Sequence, residues 1–193
     1  MEEMPSRGGA EPMPDRATDD ELMARIAKGD EEAFRELVLR WEDRVFAFCL
    51  RSLGSRGDAE DLSQETFIRV YRSARRYRPR GRFTAWLFRI AGNLCRNAIR
   101  RQRPAHEITT DLPAPETDRP DITLQRKEFA RAVREAVACL PDRQRIAVVL
   151  RRYEGFSYQE IAEALDTTVS AVESLLHRAS ERLRQELHDL PPP

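Results

Sequence analysis

FSYQEIAEALDTTVSAVESLLHRASERLRQEL, residues 156–187, is the stretch that decides the fold. It reads as a short helix from Tyr158 to Leu165, a tight turn at Asp166 to Val169, and a longer helix from Ser170 onward. Ala162 is small at the place where two helices must cross closely. On the longer helix Val172, Leu176, Ala179 and Leu183 recur on one face, and Ser170, Ser174, His177, Arg178 and Glu181 occupy the other. That arrangement fits a helix-turn-helix, whose second helix enters a major groove, and it also fits a generic helical hairpin.

Upstream of this stretch, Phe129, Val133, Val137 and Leu140 predict a helix that ends at Pro141. Asp142 then caps RQRIAVVLRRYEG, which Gly155 terminates. Leu, Ala, Glu and Arg dominate, Gly is scarce and no alternating strand pattern occurs. An all-α fold follows, in two small helical domains joined by a flexible linker, the second domain a helix-turn-helix. The boundaries are 1–18 for a disordered N-terminal extension, 19–103 for the first domain, 104–122 for a Pro-rich acidic linker, and 123–189 for the second domain. A short tail, LPPP, closes the chain.

The first domain holds the strongest charge signal. Between Phe67 and His106 stand twelve arginines and no acidic residue, interleaved with Phe, Tyr and Trp. The formal net charge of +0 conceals this strip, because 33 basic residues balance 33 acidic ones elsewhere. Guanidinium groups neutralise phosphates and aromatic rings offer stacking faces for unstacked bases. A solvated arginine-rich surface over ordinary core aromatics has the same composition.

Within that domain Thr18 or Asp19 caps DDELMARIAKG, with Gly29 as its stop, and Asp30 caps the next helix. Asp58 opens a third helix in which Ser63, Phe67, Val70, Tyr71 and Ala74 form a core stripe. Asp61, Gln64, Glu65 and Ile68 fall about 110° away, on a stripe that suits either solvent or a basic partner helix. In the fourth helix, FTAWLFRIAGNLCRNAIRRQR, the core side is Phe83, Leu87, Ile90, Leu94 and Ala98. Arg89, Asn93, Arg96 and Arg100 lie opposite, with Asn97 and Trp86 at the margin. Arginines there suit phosphates, the Asn amides suit base edges and Trp86 offers a stacking plane.

Other chemistries find little support. Cys49, Cys95 and Cys139 show no CxxC or paired histidines, so neither a zinc pattern nor a disulfide framework is visible, and each reads as a small core residue. There is no membrane-length apolar run and no basic-then-apolar leader, which predicts a cytoplasmic chain. With three scattered histidines, no P-loop, no nucleophile elbow and no acidic metal cluster, no catalytic residue, cofactor, metal or small-molecule substrate is expected.

Three segments in order, DAEDLSQETFIRVYR, FTAWLFRIAGNLCRNAIRR and LPDRQRIAVVLRRYEGFSYQEIAEALDTTVSAVESLLHRA, resemble the extracytoplasmic-function sigma factors of bacterial RNA polymerase over about residues 19–188. The resemblance implies a subunit that binds polymerase core, reads −35 duplex DNA and melts and captures the −10 element. It implies that Asp61, Gln64 and Glu65, with Ile68 beside them, dock on the polymerase clamp. It places Asn93 where a flipped non-template base is read, with Phe83 and Trp86 adjoining and Arg89, Arg96, Asn97 and Arg100 along the same helix. It matches Ser170, Ala171, Glu173, Ser174, His177 and Arg178 to the −35-facing positions. An anti-sigma partner is a further implication. Many relatives carry arginines where Glu173 and Leu175 stand, so no −35 preference transfers directly. Two rivals are a helix-turn-helix regulator acting without polymerase, and an enzyme.

Overall fold

Side-chain caps divide the chain into its helices. The computed structural model describes residues 17–102 and 124–188; among these are eight α-helices and one 3-10 turn. The helices are α1 (Asp19–Ile26), α2 (Glu31–Leu53), α3 (Arg56–Ser73), α4 (Phe83–Gln102), α5 (Leu124–Cys139), α6 (Asp142–Arg152), α7 (Tyr158–Leu165) and α8 (Val169–Glu186), with the 3-10 turn Ala74–Arg76 after α3. The expected disordered extension up to residue 16, the linker and the LPPP tail lie outside the described residues.

Thr18 and Ser157 each close a capping box, with Glu21 and Glu160, so α1 and α7 start with two amides satisfied reciprocally. Asp30 caps α2 by accepting from the Ala33 amide at 3.0 Å. Gly54, at φ 77°, ends α2 in the left-handed conformation that a side chain disfavours. The start of α3 differs from expectation. Ser55 is the cap, accepting from the Asp58 amide, and Asp58 lies in the first turn, where its carboxylate faces the positive end of the helix dipole. Likewise Pro141 occupies the cap position of α6 and Asp142 its first turn.

Helices α1 to α4 surround Leu22, Met23, Leu37, Val45, Phe48, Val70 and Leu87, all fully buried. Helices α5 to α8 surround Ile146, Leu150, Ile161 and Val172, also fully buried. The two sets belong to one continuous buried cluster. Its bridge is α4, which packs on α7 and α6 as well as on α2 and α3. The Phe88 and Phe156 rings meet edge-on at 5.3 Å, and a methyl carbon of Ile146 lies 3.6 Å from where a Cβ on Gly92 would stand. The stripe Phe88, Ala91, Gly92 and Cys95 therefore forms a second buried side of α4 that periodicity did not reveal.

Three further positions differ from the sequence reading. Tyr71 is 43% exposed and leans edge-on against Phe34 rather than entering the core. Ile90 is half-buried. Cys139 is exposed, whereas Cys49 and Cys95 are buried with their sulfurs 3.7 Å apart. The hydrogen bond to Cys49, followed by burial, pushes the Cys95 thiol well up, so it stays protonated and inert as a nucleophile.

Candidate nucleic-acid interface

The arm leading into α4 is held by one carboxylate. Asp20 on α1 accepts from the Tyr77 hydroxyl at 2.5 Å and from the Gly81 amide at 2.9 Å, fixing the turn that carries Arg78, Arg80 and Arg82. Burial, then the hydrogen bond to Asp20, raises the Tyr77 hydroxyl far above its ordinary range, so it remains a donor. Asp20 is in turn steadied by its helix, because neighbouring Asp19 accepts from Arg40 at 2.8 Å and from the Trp41 indole at 3.1 Å.

Tyr77, Phe83 and Trp86 then stack into an aromatic wall, with ring centres 4.7 Å apart for Tyr77–Trp86 and 5.8 Å for Phe83–Trp86. Phe83 is only 4% exposed and supports this wall from within. In this conformation it is core, not a face for a strand. Trp86 is half-buried, with its ring on Tyr77 and its outer side in a cleft of about 530 Å³. Trp86 is thus packed on its aromatic neighbours and also open to the cleft.

The cleft is lined by arginines that the sequence reading did not single out as site residues, Arg76, Arg78, Arg80 and Arg82, together with Arg89. Arg78, Arg80 and Arg82 stand at alternate positions of YRPRGR and were visible there as charge, but Gly81, at φ 64°, turns the segment. Further along α4, Asn93 and Arg96 are half-buried, and Asn97 and Arg100 are exposed. The Nε of Arg96 is buried with no hydrogen-bond partner. Asn97, Arg100 and Arg101 share a second open hollow with Arg69 of α3. Phosphate groups suit both hollows, since the guanidinium forks there offer paired donors.

On the opposite side of α4, α7 lies across the margin. Arg82 meets Glu163 at 2.5 Å and Arg89 meets Asp166 at 3.0 Å. The cleft is thus walled on one side by α4 and on the other by the first helix of the helix-turn-helix.

The helix-turn-helix is built as its sequence suggests. Asp166, the one non-glycine residue with positive φ among the described residues, turns the chain at φ 52° after α7, and Thr168 caps α8 by accepting from the Ala171 amide. Arg143 donates to the Leu165 carbonyl at 3.2 Å, satisfying the end of α7. Val172 and Ala179 bury α8 against the rest of the domain. Ser170, Glu173, Ser174, His177 and Arg178 are exposed and Ala171 is half-buried, so these six positions share the outward side of the first turns. A helix N-terminus with small polar residues and a following cation suits a phosphate-lined groove.

On α3, Asp61, Gln64 and Ile68 are exposed, and Glu65 is half-buried and bonded to Arg69 at 2.7 Å. Leu39 of α2, 67% exposed, is a further solvent-facing apolar group that the sequence reading did not single out. Among the described residues no group of three or more His, Cys, Asp or Glu is placed to hold a metal ion, and no helix is long and apolar enough to cross a membrane.

Comparison with known proteins adds a frame to this geometry. Residues 37–105 match the family model for Sigma-70 region 2 and residues 130–183 that for Sigma-70, region 4. The chain is 32% identical to the ECF RNA polymerase sigma factor SigW of Bacillus subtilis, covering 86% of this chain and 95% of the relative. It is 34% identical to the ECF RNA polymerase sigma-E factor of Haemophilus influenzae, covering 92% of this chain and 100% of the relative. Among solved structures, CnrH in complex with the cytosolic domain of CnrY superposes with a TM-score of 0.65 at 32% identity, over 88% of this chain and 97% of that one.

Proposed function

The chain belongs to the extracytoplasmic-function sigma factors of the sigma-70 family, and we propose from that premise how its surfaces divide the work of starting transcription. It is a sigma factor that binds RNA polymerase core and directs promoter-specific initiation. Polymerase supplies the phosphodiester chemistry, and this cytoplasmic subunit supplies specificity without itself being an enzyme.

In this reading α8 enters the major groove of the −35 element. Ser170 and Ala171 at its N-terminus meet the backbone, Glu173, Ser174 and His177 face base edges, and Arg178 neutralises a phosphate. Glu173 in this register suits a cytosine amino group. The α4 margin takes the separated −10 strand. Arg82, Arg89 and Arg100 contact phosphates, Trp86 stacks, and Asn93 and Asn97 present paired amide donors and acceptors. Extruding a base costs a few kcal/mol, which stacking at roughly 1–3 kcal/mol per base offsets. Asp61, Gln64, Glu65 and Ile68 on α3 form the polymerase-docking stripe. A regulatory anti-sigma protein is a further proposed partner; the similar CnrH is found in complex with the cytosolic domain of CnrY.

The observation that carries this reading is the coexistence, in one chain, of an outward-facing recognition helix and a cationic, aromatic cleft. A regulator that read duplex alone would have use for the first but not the second. The test is run-off transcription with bacterial core polymerase and a promoter library. Transcripts from a discrete promoter class are expected only when the chain is added; no promoter-specific RNA at saturating protein would sink the proposal.

A further inference from the structure

We propose that Asp20 of α1 is a positioning residue for strand capture, setting through Tyr77 and Gly81 the stacking face of Trp86 and the arginine turn before α4. This rests on the reading of α4 as the −10 surface. The two halves of the chain meet in an apolar seam, Phe88 and Gly92 on Phe156 and Ile146, and that seam, with the packing on α2 and α3, holds the body of α4. The arm in front of the helix has no such support, since residues 78–82 are all exposed. An exposed segment without a core of its own keeps one conformation only where polar groups tie it down.

Asp20 supplies that tie with both of its oxygens. Oδ1 accepts from the Tyr77 hydroxyl at 2.5 Å and Oδ2 from the Gly81 amide at 2.9 Å, so one carboxylate spans the segment. The Tyr77 end carries the stacking plane, because the Trp86 ring centre lies 4.7 Å and the Phe83 ring centre 6.0 Å from that of Tyr77. The Gly81 end carries the bend, at φ 64°, a conformation that glycine adopts without a Cβ clash. No atom within 4 Å would meet a Cβ there, so the glycine answers to the backbone angle and not to crowding.

The support is itself held. Asp19 binds Arg40 and the Trp41 indole of α2, and Arg40 donates again to the Ala17 carbonyl at 2.8 Å. One carboxylate of α1 thus grips α2 and the next grips the arm. The sign of the effect on DNA separates two roles for Asp20. As a bare negative charge among arginines it would repel a phosphate strand, and its removal would help binding. As a support for Trp86 and the turn, its removal must hurt.

The test uses the full chain assembled with bacterial core polymerase. Affinity is read by fluorescence anisotropy of a labelled single strand carrying the non-template −10 sequence of a promoter from the run-off experiment, with a −35 duplex as reference. Hydrogen exchange across residues 78–82 of the chain alone reads the tie without DNA. Asp20→Ala is expected to bind the strand ~10-fold more weakly, the size of one lost charge-assisted hydrogen bond, and to discriminate less among −10 bases. Its Gly81 amide should exchange faster and its −35 binding should not change. Tyr77→Phe keeps the ring and loses the hydroxyl; it is expected to bind ~3-fold more weakly, and to add nothing when combined with Asp20→Ala. Asp20→Asn keeps one acceptor and the side-chain volume, is expected to fall between wild type and Asp20→Ala, and carries the test if the Ala variant does not fold. Asp30→Ala removes equal charge and the cap of α2, and is expected to lower the denaturation midpoint without moving strand affinity. Equal losses in Asp20→Ala and Asp30→Ala, tighter binding by Asp20→Ala, additive losses in the double variant or unchanged exchange at Gly81 would each overturn the assignment. Faster exchange in Asp20→Ala beside a wild type that does not bind the strand would uphold the tie and overturn the −10 reading instead.

Discussion

Helices α8 and α4 both carry the polar face that nucleic acid requires, yet the structure treats them differently. Among the described residues Ser170, Glu173, Ser174, His177 and Arg178 of α8 are exposed, and Val172 and Ala179 are its buried residues. Helix α4 is buried on two sides, by α2 and α3 on one and by α7 and α6 on the other. Its polar residues occupy what is left between them. A duplex-reading surface can stand ready, because duplex is the resting form of DNA. A surface for unpaired bases, the role proposed for α4, has a use only after melting, and α4 is half covered by α6 and α7.

The contrast can be broken most forcefully at the seam. Phe156→Ala removes a ring that is 3% exposed and packs on Phe88, and is expected to cost about 3–5 kcal/mol. Chemical denaturation followed by circular dichroism should show the loss; two separate transitions in the variant and one in the parent would further show that the seam couples the halves. Next in size are the residues proposed to read bases. Asn93→Ala is expected to lower run-off from a cognate promoter by ~5- to 150-fold, the equivalent of 1–3 kcal/mol for a bidentate base contact, with duplex footprints of the second domain unchanged. Glu173→Ala should alter base preference within the −35 element by about 1–3 kcal/mol at one position, measured by selection from randomised duplexes. An unchanged preference would move Glu173 off the base-reading face.

Smaller effects sharpen the comparison at the helix starts. Ser157→Ala deletes the cap of α7 and is expected to cost about 1 kcal/mol, read as a lower denaturation midpoint. The same cap predicts a pH response. The Ser157 hydroxyl and then the Ser157 amide hold the Glu160 carboxyl below its ordinary value of 4.5. A carboxyl whose folded value is depressed stabilises the fold fully above about pH 4.5 and loses that contribution as pH falls through the folded value. The melting temperature should therefore hold near neutrality and fall in the acid range. Glu160→Gln should flatten part of that fall; an identical profile in the variant would assign the acid loss to other groups.

Much of this architecture was legible in the chain, for reasons that can be named. The turn between α7 and α8 announced itself because Asp166 tolerates positive φ and small Ala162 sits at the crossing. The second buried side of α4 did not, because Ala91, Gly92 and Cys95 carry too little apolar mass to stand out, and because Ile146 against Gly92 and Phe156 against Phe88 lie more than fifty residues away in sequence. Ser55 lost to Asp58 as a cap in the reading because both are good caps three residues apart, and only geometry shows which amide is free. Phe83 satisfied two patterns at once, core and site, and its 4% exposure decides for core in this conformation. The arginines at 76, 78, 80 and 82 were visible as charge, but their convergence on one cleft depends on Asp20 pinning the turn from another helix.

The apolar seam has one more consequence, which concerns heat capacity. Parting the halves would wet the Phe88, Phe156 and Ile146 side chains, and apolar hydration becomes less unfavourable as the solution is chilled. The apolar part of the contact between the two halves therefore weakens as the temperature is lowered.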